Sequence, residues 1–461
     1  MDPIKIDSGY ISGTIIGKIG KEVRIYRGIP YAAPPIGNLR WKPSQPVTPW
    51  DGIRETTQFS KWAAQTFPST AIYQVMTESG MGEDCLYLNV LTPAKKSNAR
   101  LPVLVWLHGG LLIILSGNMQ HYNTPQLSQH GAVVVTVNHR LGPFGYMAHP
   151  ELSAESEKER GVYASGNYGQ LDLIAALNWV KKNIAAFGGN PDCVTIFGQS
   201  GGGSKVKWLM ASPLATGLFH QAWSLSSNTN EYLGDLTLEE AEENGVKLAK
   251  QLKASDLADL RTKTWQEIIE ASTAIKYPSA FTRDGWSLLK EPLVKTFQEG
   301  RHQDIPYMIG FVENEGEGFE VIRSFVPTIK QRTSKIYAYT FAAIPAGWKA
   351  AGTTGWHALD LSYLFSSLSD TVGAINKPYF NYNIKPRCPA CTMDPGISPE
   401  DERLADTLKK MAVQFAATGD PNFPGLGVSW PAYVPDEDKY LKIDIHPEVN
   451  TGFSIKPTSL F

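Results

Sequence analysis

A serine between glycines, in Gly198-Gln199-Ser200-Gly201-Gly202, follows directly on the apolar, β-branched run Val194-Thr195-Ile196-Phe197. The run predicts a buried strand, and the small residues after it predict a helix start. A serine at such a strand-to-helix turn is held in a strained backbone geometry that pushes its hydroxyl out of the turn. The helix behind it offers unpaired N–H groups and a partial positive charge, which suit a developing oxyanion. The G-x-S-x-G pattern by itself is also an ordinary glycine-rich turn. The preceding strand, and partners elsewhere in the chain, favour a nucleophile.

A serine hydroxyl attacks poorly until a base takes its proton, and the base needs a third group to hold its tautomer. In sheet-based hydrolases the order along the chain is serine, acid, histidine. Downstream of Ser200 stand His220, His302, His357 and His446. His357 comes after a predicted strand and a glycine-rich loop, where a base would sit at a sheet end. As a lone residue it reads equally as a surface histidine. The acid candidates are Glu313, Glu315 and Glu317, alternating after the run Pro306 to Gly310. Composition does not choose among them. The oxyanion donors expected are the Gly201 N–H and N–H groups after His108, in His108-Gly109-Gly110.

The elements that must position these residues alternate. Lys5 to about Arg27 predicts an antiparallel meander, and the proline-rich stretch Gly28 to Gly37 an ordered loop. Val103 to Leu107 and Ala132 to Asn138 are apolar strands. A helix opens at Gly166-Asn167-Tyr168-Gly169, with Ile174, Leu177, Val180 and Ile184 as its apolar face. After the serine turn, Ala222 to Leu225, Pro306 to Gly310 and Ile336 to Phe341 read as further strands. Thr237 to Ser272 reads as charged helix anchored by Leu248, Leu252 and Leu257. Ser398 caps a last helix with Pro399 at its first position, a stripe of Leu404, Leu408, Met411, Ala412 and Phe415, and Gly419 as its stop. This alternation predicts an α/β fold with a large, mostly parallel sheet and helices on both faces.

The 461 residues are 42% hydrophobic with a formal charge of −2. A core of that size needs no disulfide framework, and the near-neutral charge removes the electrostatic motive for nucleic-acid binding. No apolar run reaches membrane-spanning length, and the N-terminus shows no secretory signal pattern. Cys388 and Cys391 have C-x-x-C spacing, which could close a tight disulfide; without a second pair or a nearby histidine no metal site is expected, and a serine mechanism needs no cofactor. Residues 1–461 are read as one domain.

Several stretches together resemble the type-B carboxylesterase family, which includes para-nitrobenzyl esterases and cholinesterases. They are Gly28 to Gly37, Glu83-Asp84-Cys85-Leu86-Tyr87-Leu88-Asn89-Val90, His139-Arg140-Leu141-Gly142-Pro143-Phe144-Gly145, Phe187 to Pro191, Phe197 to Gly202, Phe415 to Asn422 and Trp430 to Tyr433. The resemblance implies an α/β-hydrolase fold and a Ser-His-Glu triad. Ser200 would be the nucleophile, Glu315 the acid (from the family's E-G-x-x-F) and His357 the base. His357 would stand in an H-x-x-E pattern with Asp360 in the acidic place. Gly110, Leu111 and Gly201 would form the oxyanion hole. It further implies helical excursions at about 232–300 and a shortened one between 320 and 357 covering the site.

Departures from the pattern bear on specificity. The family's His-Gly-Gly-Gly-Phe is here His108-Gly109-Gly110-Leu111-Leu112, which predicts a narrower cavity beside the scissile carbonyl. Ala63 stands where the resemblance implies the upstream cysteine that pairs with Cys85, so Cys85 is expected to be unpaired. The resulting reading is a serine hydrolase of small-molecule carboxylic esters. An amide or carbamate hydrolase, or a non-catalytic binding protein on the same fold, are its rivals.

Overall fold

The computed structural model describes residues 2–66, 79–227, 234–315, 320–329, 334–365 and 395–455. Glu317, Asn228, Cys388 and Cys391 lie outside the described residues. An eleven-stranded sheet forms the centre. In chain order its strands are β1 (Thr14–Ile16), β2 (Val23–Pro30), β3 (Tyr87–Thr92), β4 (Leu101–Leu107), β5 (Val133–Val137), β6 (Gly189–Gln199), β7 (Gln221–Leu225), β8 (Tyr307–Val312), β9 (Ile336–Phe341), β10 (Lys439–Ile443) and β11 (Glu448–Thr451). Across the sheet they run β11-β10-β9-β8-β7-β6-β4-β5-β3-β2-β1. The run from β5 to β10 is parallel throughout, and antiparallel pairs close both ends.

Why the central strands are apolar at every position follows from burial on both faces. Val103, Val105 and Leu107 of β4 join one core with Val194 and Ile196 of β6. Leu104 and Trp106 point to the other face and meet Phe197 there. The first core is completed by α1 (Tyr168–Asn183), whose Leu173, Leu177 and Val180 are buried. The second is completed by α7 (Pro399–Thr418) through Leu404, Leu408, Met411 and Phe415. Ser398 and Asp401 close a capping box on α7, and Gly419 ends it at φ 74°.

Some elements differ from the expectation. The N-terminal strands divide: Ile4–Ile6 and Gly9–Ser12 pair in a separate small sheet, and β1 and β2 join the main one. β2 continues through Gly28 to Pro30, because a register shift between Tyr26 and Ile29 lets the glycine and proline end a strand. The segment after Thr237 is three helices, α3 (Leu238–Gln251), α4 (Leu257–Thr262) and α5 (Trp265–Ala274), since Thr237, Asp256 and Thr264 each cap a new start. The β10–β11 hairpin was not anticipated; only Leu441 and Ile443 of β10 are buried, and β11 has no buried residue. Cys85 is free and buried, as expected. Among the described residues no helix is long and apolar enough to cross a membrane.

Two of the recognisable motifs are held by buried ion pairs. Arg140 donates from Nε to Asp172 Oδ2 at 2.8 Å and from a terminal nitrogen to Oδ1 at 2.6 Å, with both side chains essentially inaccessible. Arg40 grips Glu83 in the same two-toothed way, with Nε at 2.7 Å from Oε2. Removing one partner of such a pair strands the other charge. Asp172→Ala is therefore expected to lower the unfolding free energy by about 3–5 kcal/mol, read from urea denaturation.

Candidate active site

Ser200 sits between the end of β6 and the start of α2 (Gly201–Ala211), at φ 58° and ψ −127°. A left-handed backbone is unfavourable for a residue with a side chain, by about 1–2 kcal/mol. It is held there on both sides: the Ser200 N–H donates to the Leu225 carbonyl at 2.9 Å, and its carbonyl accepts from the Ser204 N–H at 3.1 Å. The neighbouring glycines are required by close approach. A Cβ on Gly202 would lie 2.0 Å from the Leu107 carbonyl oxygen, and one on Gly201 would lie 2.2 Å from that of Leu111. Main chain packs on main chain at this turn.

His357 lies just before α6 (Leu359–Phe365), and its Nδ1 donates to Glu315 Oε2, 2.9 Å away. Glu315 follows β8; its side chain is fully buried, and Oε1 accepts the Val312 N–H at 3.0 Å. The amide of Gln199, the residue before Ser200, reaches His357 Nε2 at 3.0 Å. With the Glu315 carboxylate at Nδ1, that nitrogen carries the proton and Nε2 presents its lone pair to the turn. The other candidates are placed elsewhere. Glu313 accepts the Thr340 hydroxyl at 2.7 Å on the far side of the loop. His220 accepts the Val194 N–H, His302 stacks on Phe297, and His446 is exposed. Of the two described glutamates, Glu315 meets His357 and Glu313 meets Thr340, a choice that the alternation alone did not make.

The loop after β4 turns sharply. Gly110 and Leu111 are both left-handed, at φ 82° and 58°, and the Gly110 carbonyl accepts from the Ile113 and Ile114 N–H groups at 3.2 and 3.1 Å. This turn brings Leu111 against Gly201. The three residues expected to form an oxyanion hole are therefore neighbours. Among the described residues no three His, Cys, Asp or Glu side chains converge as a metal ion would require.

Sequence reasoning passed over two lysines here and gave Asp360 only as the acidic place of a family pattern. Lys205 and Lys207, both on α2, are completely buried. Their amines donate to the carbonyls of His108 at 2.9 Å and Ser227 at 2.7 Å, and burial lowers both to about 7. The signal was available: two lysines at i and i+2 on a helix otherwise apolar around Val206, Trp208 and Leu209 cannot both face water. Asp360 is 1% exposed, and neither carboxyl oxygen has a hydrogen bond of good geometry among the described residues. Burial first, then the nearby Glu315 charge, raises it to about 7.

Because the folded chain holds the Asp360 proton more tightly than the unfolded chain does, its contribution to stability declines as pH rises from about 4 to about 7. Asp360→Asn has no proton to lose. It is expected to match the parent near pH 4 and to exceed it at pH 8 by on the order of 2–4 kcal/mol, measured by denaturant unfolding at the two pH values.

The chain matches the Carboxylesterase family over residues 2–324 and 321–459. It is 39% identical over 312 residues to the fumonisin B1 esterase of Sphingopyxis macrogoltabida, a stretch covering 67% of this chain and 56% of that protein. To the para-nitrobenzyl esterase of Bacillus subtilis (strain 168) it is 30% identical over 492 residues, 94% of this chain and 93% of that one. A solved structure of a thermophilic PNB esterase superposes with a TM-score of 0.78 at 25% identity, covering 97% of both chains. With the sheet and its helices, the family match over residues 2–324 and 321–459 and a superposition over 97% of the chain, the chain has the α/β-hydrolase fold and belongs to the carboxylesterase family.

Proposed function

We propose that this carboxylesterase hydrolyses small-molecule carboxylic esters through a Ser200-His357-Glu315 triad and an acyl-enzyme. The observation that carries the reading is the 2.9 Å contact between His357 Nδ1 and Glu315 Oε2, with His357 Nε2 3.0 Å from the amide of Gln199, whose neighbour in the chain is Ser200 at φ 58°. Residues 1–461 act as one α/β-hydrolase domain, with the helical segments at about 232–300 and a shortened one between 320 and 357 covering the site.

Glu315 accepts the Nδ1–H and so keeps Nε2 free to take a proton. His357 Nε2 removes the Ser200 hydroxyl proton as Oγ bonds to the ester carbonyl carbon. The carbonyl oxygen becomes an oxyanion, met by the N–H groups of Gly110, Leu111 and Gly201. His357 then returns its proton to the departing alkoxide, and alcohol leaves an acyl-serine. Water enters, loses a proton to His357, and the acid is released with Ser200 restored. Gln199 donates to the same Nε2 in the resting site. The serine hydroxyl has to replace that amide before transfer.

A panel of chromogenic esters and amides tests the reaction class. Ester turnover is expected for the parent chain, and Ser200→Ala is expected to lose about three orders of magnitude or more in kcat. Retention of turnover in that variant would exclude the serine mechanism. Leu111, left-handed and half-buried beside Gly201, narrows the acyl side of the hole. Leu111→Gly is expected to shift kcat/KM toward bulkier acyl groups by about tenfold, read from an acetyl-to-octanoyl series of 4-nitrophenyl esters.

A further inference from the structure

We propose that Lys205 is a positioning residue for the oxyanion loop, its buried amine holding the His108 carbonyl so that Gly110 and Leu111 keep their left-handed path against Gly201. The inference rests on the reading of Gly110, Leu111 and Gly201 as the oxyanion donors. Lys205 lies one helical turn beyond Gly201, and a helical side chain leans back toward the N-terminus of its helix. That direction carries the amine under the first turn of α2 to the His108 oxygen, at 2.9 Å. His108 is the first residue after β4 and opens the loop. Two successive left-handed residues, one of them leucine, are not a conformation a free loop settles into.

Stability alone does not account for this amine. A buried ammonium is compensated well by a carboxylate and poorly by a neutral acceptor. Here the acceptor is a main-chain carbonyl. The ionisable groups on which Lys205 acts are His108 and His139, whose rings lie tilted against each other with centres 4.7 Å apart. Burial holds both imidazoles neutral, and neither ring nitrogen of His139 has a hydrogen-bond partner among the described residues. A methionine would fill the same volume without the desolvation cost. A lysine kept there at the expense of stability, next to the strained loop, is the pattern of a group retained for function. Lys207 supplies the comparison: on the same helix and equally buried, its amine is bonded to Ser227 instead.

The test compares Lys205→Met with Lys207→Met on a chromogenic short-chain ester. Lys205→Met is expected to lower kcat by about tenfold or more with KM within about twofold. Affinity for a trifluoromethyl ketone, which forms an anionic tetrahedral adduct on serine, should fall by the same factor. Its thermal midpoint should not fall, and Lys207→Met should stay within about twofold throughout. Should the methionine variant not fold, Lys205→Gln, whose amide stops short of the His108 oxygen, replaces it with the same expectation. Hydrogen exchange over residues 108–112, which needs no substrate, should accelerate in the Lys205 variant and remain unchanged in the Lys207 variant. Unchanged exchange, equal losses in the two lysine variants, or a kcat decline that merely tracks the thermal midpoint overturns the inference. A parent chain silent on every ester, with exchange responding as expected, counts against the esterase reading instead.

Discussion

The first turn of α2 lies directly on the main chain of residues 107–111, with no side chain between them. A Cβ at Gly201 or Gly202 would fall inside the van der Waals radius of a carbonyl oxygen from that loop. Interiors resist such overlap because they are already packed to crystal-like density. Three things follow from one contact. Ser200 is forced into its left-handed turn, the loop after β4 is brought beside it, and the helix N-terminus faces the space between them. The parallel strands β4, β6 and β7 fix where this contact occurs, since their shared register aligns Leu107, Gly198 and Ser224.

Charge is distributed around that contact in a way that separates support from chemistry. The Arg140–Asp172 and Arg40–Glu83 pairs are buried and each offers two parallel hydrogen bonds, so the desolvation of one ion is met by the other. They hold loops that bear family motifs but carry no reacting atom. Lys205, Lys207 and Asp360 are buried without such a match, and their proton affinities are displaced toward neutrality as a result. Displaced groups of this kind gather where a site is built, because there the environment is shaped for something other than stability.

Ser200 and the strand before it were readable because their signals are local: an apolar run, a serine and three glycines within nine residues, where steric limits act between neighbours. The same holds for α7, whose cap, proline, apolar stripe and terminal glycine all appear as foreseen. The break of the Thr237 segment into three helices was harder to see, since each cap competes locally with a continuous charged helix. The β10–β11 hairpin escaped because its apolar signal is short: Leu441 and Ile443 are the buried residues of β10, and β11 at the sheet edge has none.

What the chain's order of residues determined alone is the strand-turn-helix about Ser200, the α/β alternation and, through resemblance, the family. Periodicity and backbone sterics act over a few residues and are legible there. The contact of Glu315 with His357, the approach of Gln199 to His357, and the burial of Lys205 under the His108 carbonyl belong to tertiary structure. Each depends on groups far apart in the chain, brought within about 3 Å by the register of the sheet. No local rule specifies that register, because it is settled only when both faces of the sheet are packed.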